Sequence, residues 1–293
     1  MQLSPIQHGS PTWLPTTMPL SAAPRAHPVT GEAPGPELPA IPPRHPALPS
    51  PAPSLVQLAT IAERAPANQR FTPGAHPSTI RNAHYTNTRS QLAFALAGVY
   101  NSVEGDVRLR DGRAVMQHDA GAAADLTFEQ WALLSARAGK HLRIDMKEAN
   151  ALPAVTATLK RLRIDPGTVT FNVGVRAPWS TASMSIEAIR ALRNLFPASW
   201  ITLNLPLPLG PGYLLAVDAA RRIGPARLGV AVMAGLVHRA DVAFLRSTFD
   251  AVNAWNIPGV GSVDPAMSAR RLRAIGVNGM IDLRRANDPL AVD

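Results

Sequence analysis

Residues 102–146 read SVEGDVRLRDGRAVMQHDAGAAADLTFEQWALLSARAGKHLRIDM, and this stretch decides the fold. A β-branched run at its start and another at its end enclose an amphipathic segment, which predicts a strand, a helix and a second strand. A helix between two strands is typical of parallel strands that are joined by a right-handed crossover. The stretch therefore predicts an α/β protein whose sheet is parallel.

The same alternation continues on both sides of this stretch. The predicted strands are Thr79–Ala83, Ser102–Leu109, His141–Met146, Thr168–Val173, Trp200–Leu205, Arg227–Met233, Ala251–Trp255 and Gly279–Leu283. The predicted helices are Arg89–Ala97, Thr127–Ala138, Ala151–Leu162, Ser185–Phe196, Gly212–Ile223, Arg239–Ser247 and Pro265–Ile275. Eight repeats favour a closed (β/α)₈ barrel. An open doubly wound sheet is the alternative, but it would need a glycine turn after the first strand, where His84-Tyr-Thr-Asn87 stands.

The chain before this domain has a different composition. Residues 1–77 hold 18 of the 29 prolines, and proline lacks the amide N–H that helices and sheets require. We therefore predict a disordered, Pro-rich segment over 1–77 and a barrel domain over 78–293. Within the tail, Ser50–Arg64 could form a short helix with Leu55, Leu58 and Ile61 on one face, which we expect to be transient.

Composition excludes several classes of protein. The chain of 293 residues has no cysteine, which excludes disulfides and thiolate chemistry, and it has no apolar run long enough to span a membrane. Its net charge of +9 comes mainly from arginine and indicates either a solvated basic surface or attraction to phosphate-bearing partners. We expect no dedicated nucleic-acid site, because no dense basic cluster contains aromatic residues. The N-terminus has no basic start or apolar core, so we expect a cytoplasmic protein, or one exported without a classical signal peptide.

Acidic residues occur on the second and third predicted strands. Glu104 and Asp106 are two residues apart, so their side chains project from the same face of a strand. Asp145 could add a third carboxylate at the end of the next strand. Buried like charges are costly unless they are neutralised, and a divalent cation such as Mg²⁺ or Ca²⁺ is the simplest neutraliser. Lys147, on the same face as Asp145, could bind a phosphate group.

Two histidines follow strand ends in the same region. His84 ends the first strand, and His118 comes shortly before the second helix. Together with the carboxylates and the lysine, they form the set that phosphodiester cleavage needs: one imidazole takes a proton from the attacking oxygen, and the other gives one to the leaving oxygen. Each signal has a plainer interpretation, as a solvated strand edge, a loop histidine or a structural ion pair. Their placement on three successive strand ends is the stronger observation.

At these residues the sequence resembles the PLC-like phosphodiesterase barrels, which include glycerophosphodiester phosphodiesterases and sphingomyelinase-type phospholipases D. The pattern of that superfamily corresponds here to His84, Glu104-Gly-Asp106, His118-Asp119 and Asp145-Met-Lys147. Within the superfamily, the sequence is most similar to the menorin-like family over residues 80–148. Two departures stand out: His84-Tyr-Thr replaces the usual His-Arg-Gly, and the interval from His118 to Asp145 leaves little room for a substrate-capping insertion.

The resemblance implies roles for individual residues. His84 and His118 would be the acid–base pair, Glu104, Asp106 and Asp145 would bind the metal ion, and Lys147 would contact phosphate. The supporting residues that it suggests are Asn87, Asp119, Asn172, Asn204 and Trp255.

Three hypotheses on function follow. The first is metal-dependent cleavage of a small phosphodiester or phospholipid substrate. The second is a non-catalytic binding protein that uses the same cavity. The third is that the N-terminal segment marks an exported bacterial effector, although an ordinary extension of a cytosolic protein explains it as well.

Overall fold

The computed structural model describes residues 51–175, 181–205, 210–224, 227–256 and 265–284. Among them the helices are α1 Leu55–Glu63, α2 Arg89–Ala97, α3 Phe128–Arg137, α4 Leu152–Arg161, α5 Ile186–Leu195, α6 Gly210–Ile223, α7 Arg239–Arg246 and α8 Pro265–Ala274. The strands are β1 Asn82–Ala83, β2 Ser102–Arg110, β3 Arg113–Met116, β4 His141–Met146, β5 Val169–Val175, β6 Ser183–Met184, β7 Trp200–Asn204, β8 Leu228–Met233, β9 Ala251–Trp255 and β10 Ile281–Asp282.

Eight strands form one parallel sheet in the order β1-β2-β4-β5-β7-β8-β9-β10. Each is followed in the chain by a helix, apart from β10 at the end of the described residues, so every connection is a β–α–β crossover. The predicted (β/α)₈ barrel is confirmed, and an open doubly wound sheet is excluded by this sequential strand order. None of the helices in the described part of the chain is long and apolar enough to cross a membrane.

Three local features differ from the prediction. Strand β3 returns antiparallel to β2 through Asp111 and Gly112, both with positive φ, which is the geometry of a tight hairpin turn. The short strand β6 pairs with the end of β5. Strand β1 is shorter than predicted, because residues 77–79 form a 3₁₀ turn and the N–H of Arg81 donates to the side chain of Asn101.

The first and last strands meet through side chains. No backbone ladder joins β1 to β10 within the described ranges. Instead, Asn82 Nδ2 donates to Asp282 Oδ2 at 3.0 Å, and His84 Nδ1 lies 2.7 Å from the same oxygen. We call this junction the barrel seam, and it includes one of the two histidines that the sequence marked for catalysis.

Residues 65–81, here called the base segment, cover the amino-terminal ends of the strands. The N–H of Phe71 donates to the carbonyl of Gly139, just before β4, and that of Gly74 donates to Gly167, just before β5, both at 2.8 Å. The side chain of Phe71 is buried. The base segment therefore closes the end of the barrel that lies opposite the polar strand ends.

The folded domain begins earlier than residue 78, which corrects the predicted boundary over 51–77. Helix α1 has a full capping box at Ser54 and Gln57, and its Leu58 and Ala62 are buried in the main core. The prolines of the base segment do not prevent folding, because they stand in turns and extended backbone where no amide N–H is needed. Residues 1–50 lie outside the described residues, so the disorder predicted for them stays a prediction.

The helix that was expected to be transient should contribute measurably to stability. Leu58 is fully buried, and truncating such a side chain to alanine removes apolar contact and leaves a cavity. We expect Leu58→Ala to lower the free energy of unfolding in urea by about 2–5 kcal/mol. Val56→Ala on the exposed face of the same helix is the control and should change it by less than about 0.5 kcal/mol. Equal stability of the two variants would mean that α1 is not part of the fold.

Candidate active site

The carboxyl ends of β2, β4 and β5 carry neighbouring polar side chains. Asp106 is paired in register with Asp145, and Asp145 with Asn172. Residues paired in parallel strands point to the same face, and here that face is the interior of the barrel. Gly105, between the two carboxylates of β2, has the opposite orientation: a Cβ there would collide with Met116. The spacing of Glu104 and Asp106 therefore brings both acids inside while the glycine allows close packing outside.

Glu104, Asp106 and Asp145 converge on one point. One ligand oxygen from each lies within 4.8 Å of the others, and all three residues are buried. The predicted meeting of these carboxylates is therefore present in the structure.

Lys147 partly neutralises this cluster. Its Nζ lies 2.9 Å from Asp106 Oδ1 and 2.6 Å from Asp145 Oδ2. Burial would lower the pKa of Lys147, but the charges of Asp145 and Asp106 raise it overall. Burial likewise would raise the pKa of Asp145, whereas the charge and hydrogen bond of Lys147 lower it overall. Both groups are therefore charged at neutral pH, and the ammonium group faces the cavity between two acids.

Glu104 is the least well neutralised of the three. The N–H of Tyr85 donates to its Oε2 at 2.7 Å, and His84 Nε2 lies 3.7 Å from the same oxygen. Burial, together with the charges of Asp106 and Asp145, raises the pKa of Glu104 to about 7 despite the opposing charge of His84. The anionic form of Glu104 is therefore destabilised, and a further positive charge nearby would stabilise it.

The donor set fits a divalent metal ion. Three carboxylates supply the oxygen ligands that Mg²⁺ and Ca²⁺ prefer, and Lys147 forms ion pairs with only two of them. In addition, the buried Oδ1 of Asn172 has no hydrogen-bond partner, while the Nδ2 of the same side chain donates to Asp145. The cluster of Glu104, Asp106 and Asp145 can therefore bind a metal ion.

His84 is held by the barrel seam. Its Nδ1 lies 2.7 Å from Asp282 Oδ2, which also accepts from Asn82 and, at 3.1 Å, from Arg143. Burial would lower the pKa of His84, but the negative charges of Asp282 and Glu104 raise it overall. Because Nδ1 is engaged with a carboxylate, Nε2 is the ring nitrogen that faces Glu104 and the cavity.

His118 lies on the loop between β3 and α3 and is more exposed than His84. Its Nδ1 lies 2.7 Å from Asp119 Oδ1, so Asp119 can orient this imidazole. Arg108 Nε donates to the main-chain carbonyl of His118 at 2.8 Å and fixes the loop against β2. The ring of Tyr85 lies between the two histidines, with centroids 6.1 Å from His84 and 5.0 Å from His118. Both imidazoles therefore line the same cavity.

The supporting residues named from the sequence lie around this site. Asn87 braces Asp106, since its Nδ2 donates to Oδ2 at 2.5 Å and its Oδ1 accepts from the amide N–H at 2.8 Å. Asn172 and Asn204 approach Asp145 Oδ1 at 3.1 and 3.5 Å. Trp255 lines the cavity at the end of β9. These residues therefore lie at the cavity or against its acidic cluster.

Sequence reasoning missed four residues of the site: Tyr85, Arg143, Asp282 and Arg284. Arg143 and Asp282 form a buried ion pair that links β4 to β10, although 139 positions separate them in the chain. Tyr85 has φ +69°, a conformation uncommon for residues other than glycine, and this turn directs its N–H at Glu104. Arg284 lines the cavity just beyond β10. One signal in the sequence could have found Arg143: it is two residues before Asp145 on the same strand, so both side chains point into the barrel.

The cavity has a volume of about 740 Å³ and opens at the carboxyl ends of the strands. Its walls combine the acidic cluster with the cations of Arg143, Lys147 and Arg284, and with the aromatic rings of Tyr85 and Trp255. A pocket of this size suits a small molecule or the polar part of a larger one.

Comparisons with known proteins agree with this architecture. The family model of the menorin N-terminal domain matches residues 77–200. Among solved structures, the chain is similar to a proposed glycerophosphoryl diester phosphodiesterase of Silicibacter pomeroyi, with 16% identity and a TM-score of 0.53 over 76% of this chain and 94% of that one. A second proposed glycerophosphoryl diester phosphodiesterase, from Agrobacterium tumefaciens, has 16% identity and a TM-score of 0.51 over 70% and 92% of the two chains.

At this level of identity, the two structures show a shared fold. None of the curated proteins matches the sequence significantly. The resemblance that the sequence indicated is confirmed: residues 77–200 match the family model of the menorin N-terminal domain, and the two solved structures share the barrel fold of this chain.

Proposed function

We propose that this protein cleaves phosphodiesters with the help of a divalent metal ion, most simply Mg²⁺. The observation that supports this most strongly is the convergence of Glu104, Asp106 and Asp145 beside two imidazoles on one cavity. A structural cluster of three buried acids would be costly, because Lys147 neutralises only part of their charge. Function gives a reason for keeping such a cluster, and the solved structures with this fold are proposed phosphodiesterases.

Glu104, Asp106 and Asp145 would hold the metal ion. When bound, the ion would neutralise charge on the phosphoryl oxygens and orient the substrate. Lys147 already faces the cavity as a permanent cation, so it can contact a phosphoryl oxygen.

The two histidines would move the protons. A water, or a hydroxyl of the substrate itself, forms the new bond to phosphorus, and one imidazole accepts its proton. The bond from phosphorus to the leaving oxygen breaks, and the other imidazole protonates that oxygen. Each ring has its Nδ1 against a carboxylate, Asp282 for His84 and Asp119 for His118, which leaves both Nε2 atoms for this exchange. The charge of Asp282 also stabilises the protonated ring of His84.

The substrate is proposed as a class, a small phosphodiester or the polar end of a lysophospholipid. Tyr85 occupies the place where glycerophosphodiesterases have arginine after the first histidine. Its ring narrows the space between His84 and His118 and presents an aromatic face to the ligand. Glycerophosphodiesters are therefore one candidate among several.

Metal removal gives the first test of this proposal. We expect the full-length protein to turn over at least one substrate from a panel of glycerophosphodiesters and lysophospholipids in the presence of Mg²⁺. EDTA should abolish that turnover, and added Mg²⁺ should restore it, because the ion would neutralise charge on the phosphoryl oxygens and orient the substrate. Calorimetry on the EDTA-treated protein should show binding of Mg²⁺ or Ca²⁺.

Ligand binding without metal binding or cleavage would contradict the proposal. A protein that binds a phosphorylated ligand in this cavity, but binds no divalent ion and cleaves no member of the panel, would be the non-catalytic binding protein that the sequence left open.

A further inference from the structure

A line of buried polar side chains lies beneath the candidate site. It consists of Asn82, Ser102, His141 and Thr170, all of them less than 10% exposed. Interiors of such barrels are usually filled by bulky aliphatic side chains, and a buried polar group is costly unless it is hydrogen-bonded. Packing alone therefore does not explain why polar side chains fill this part of the barrel interior.

These side chains form a continuous chain of hydrogen bonds that ends at the candidate site. Thr170 Oγ1 lies 3.0 Å from His141 Nε2, and His141 Nδ1 lies 3.1 Å from Ser102 Oγ. Ser102 Oγ lies 2.9 Å from Asn82 Oδ1, and Asn82 Nδ2 lies 3.0 Å from Asp282 Oδ2. Asp282 then contacts His84 Nδ1 at 2.7 Å. We call this line of side chains, from Thr170 to Asp282, the polar relay.

The direction of every hydrogen bond in the polar relay is determined. The Asp282 carboxylate only accepts, so Asn82 must present Nδ2 to it and Oδ1 to Ser102. Ser102 has a single hydroxyl proton, which it donates to that Oδ1, so His141 must donate from Nδ1 to Ser102. A neutral imidazole then accepts at Nε2, and this proton comes from Thr170.

The environment of His141 supports this assignment. Burial, with the nearby charge of Arg143, lowers the pKa of His141 to about 3, so the ring carries one proton. The ring also packs against Phe71 of the base segment, with centroids 4.6 Å apart. The polar relay therefore runs from the closed end of the barrel to the candidate site, and all of its protons point toward Asp282.

We propose that Ser102, His141 and Thr170 are positioning residues for His84, on which they act through Asn82 and Asp282. This inference rests on the proposed function of His84. Hydrogen bonds that point the same way reinforce one another, so the relay fixes the amide of Asn82 and the carboxylate of Asp282 in one arrangement. That carboxylate accepts from Asn82, His84 and Arg143 through a single oxygen, Oδ2, and its place determines which nitrogen of His84 faces the substrate. The relay holds protons in place and transfers none.

Breaking the relay should affect the chemical step more than substrate binding. Without the Ser102 hydroxyl, Asn82 Oδ1 loses its donor, so the amide is held less firmly against Asp282 and the support of His84 weakens. In Ser102→Ala and Thr170→Val, we expect kcat to fall about tenfold, in the range known for residues that orient a catalytic group, with KM unchanged. Thr170→Ser keeps the hydroxyl and should restore kcat, which separates the hydrogen bond from the shape of the side chain.

A spectroscopic measurement tests the relay independently of turnover. The proton on Nδ1 of His84, held 2.7 Å from Asp282, should give a strongly downfield resonance in ¹H NMR of the metal-free, full-length protein, assigned by its loss in His84→Asn. We expect Ser102→Ala and Thr170→Val to move this resonance upfield and Thr170→Ser to return it. If Ser102→Ala does not fold, the two Thr170 variants decide the question.

The outcomes separate the relay from the proposed function. A shifted resonance in a protein without turnover supports the relay, although the proposed function fails. A resonance that stays unchanged in folded Thr170→Val would overturn the inference even if the wild type is an active phosphodiesterase.

Discussion

His84→Ala is expected to lower kcat for the phosphodiester substrate by about 10²–10⁴-fold, the usual contribution of a positioned acid or base. The imidazole is partly buried, its Nδ1 is bound to Asp282, and its Nε2 faces the cavity beside Glu104. No other imidazole in the described residues occupies this place, so in the alanine variant only water can carry out the proton transfer proposed for His84. Initial rates across a range of substrate concentrations, with Mg²⁺ present, measure kcat and KM separately.

His118→Ala should have a comparable effect, and the double variant should be little worse than either single one, because residues that act as a unit are not additive. His238→Ala, at an exposed position before α7 and outside the cavity, is the control and should retain full activity. Turnover of His84→Ala at the wild-type rate would remove the proposed mechanism.

Glu104→Gln is expected to stabilise the metal-free protein and at the same time to abolish its function. The pKa of Glu104 is raised to about 7 by burial and by the neighbouring carboxylates, against 4.5 for an ordinary glutamate. Between these two pH values the unfolded chain has lost the proton while the folded protein retains it, so the wild type loses stability as pH rises from about 4.5 to about 7. Above pH 7 the cost reaches about 3 kcal/mol, and an uncharged glutamine removes it.

Urea unfolding at pH 5 and pH 8 in EDTA measures this effect. The advantage of Glu104→Gln should be small at pH 5 and large at pH 8. With Mg²⁺ at about 1,000 times its dissociation constant the order should reverse, since the ion then stabilises the wild type by about 4.1 kcal/mol and the variant by much less. Turnover should fall by about 10³-fold or more, as expected when a metal ion that contributes several kcal/mol to the transition state is lost.

Glu129→Gln is the matched control, because Glu129 is exposed on α3 and pairs with Arg161 at the surface. It should leave metal binding and turnover unchanged. A Glu104→Gln variant that gains no stability in EDTA, or that binds Mg²⁺ as the wild type does, would show that the cluster is not a metal site under charge repulsion.

Local patterns in the sequence were sufficient to predict the barrel and the positions of its acids. The period of two places Glu104 and Asp106 on one face, and β-branched runs mark the strands that align Asp106 with Asp145. These are properties of neighbouring residues, so a single sequence contains them. The disorder predicted over 51–77 was wrong because it rested on the number of prolines. Proline disrupts the interior of helices and sheets, but the base segment consists of turns and caps, which proline permits.

The rest of the site depends on contacts between distant parts of the chain. Asp282 is separated from His84 by 198 positions and from Arg143 by 139, and nothing in its own surroundings in the sequence, Met280-Ile-Asp-Leu283, indicates a role in catalysis. Its importance comes from closure of the barrel, which brings the last strand beside the first. Likewise, His141 looks like an ordinary residue at the start of a strand until the fold places Ser102 and Thr170 on either side of it.

The way in which the first and last strands meet has a mechanical consequence. Everywhere else around the cylinder, adjacent strands are held by main-chain hydrogen bonds. At this one junction, the described residues are joined by an imidazole, an amide and a carboxylate, and the imidazole is one of the two groups that would move protons in the proposed reaction. The side chains that close the barrel at this junction are thus the same ones that hold His84 at the candidate site.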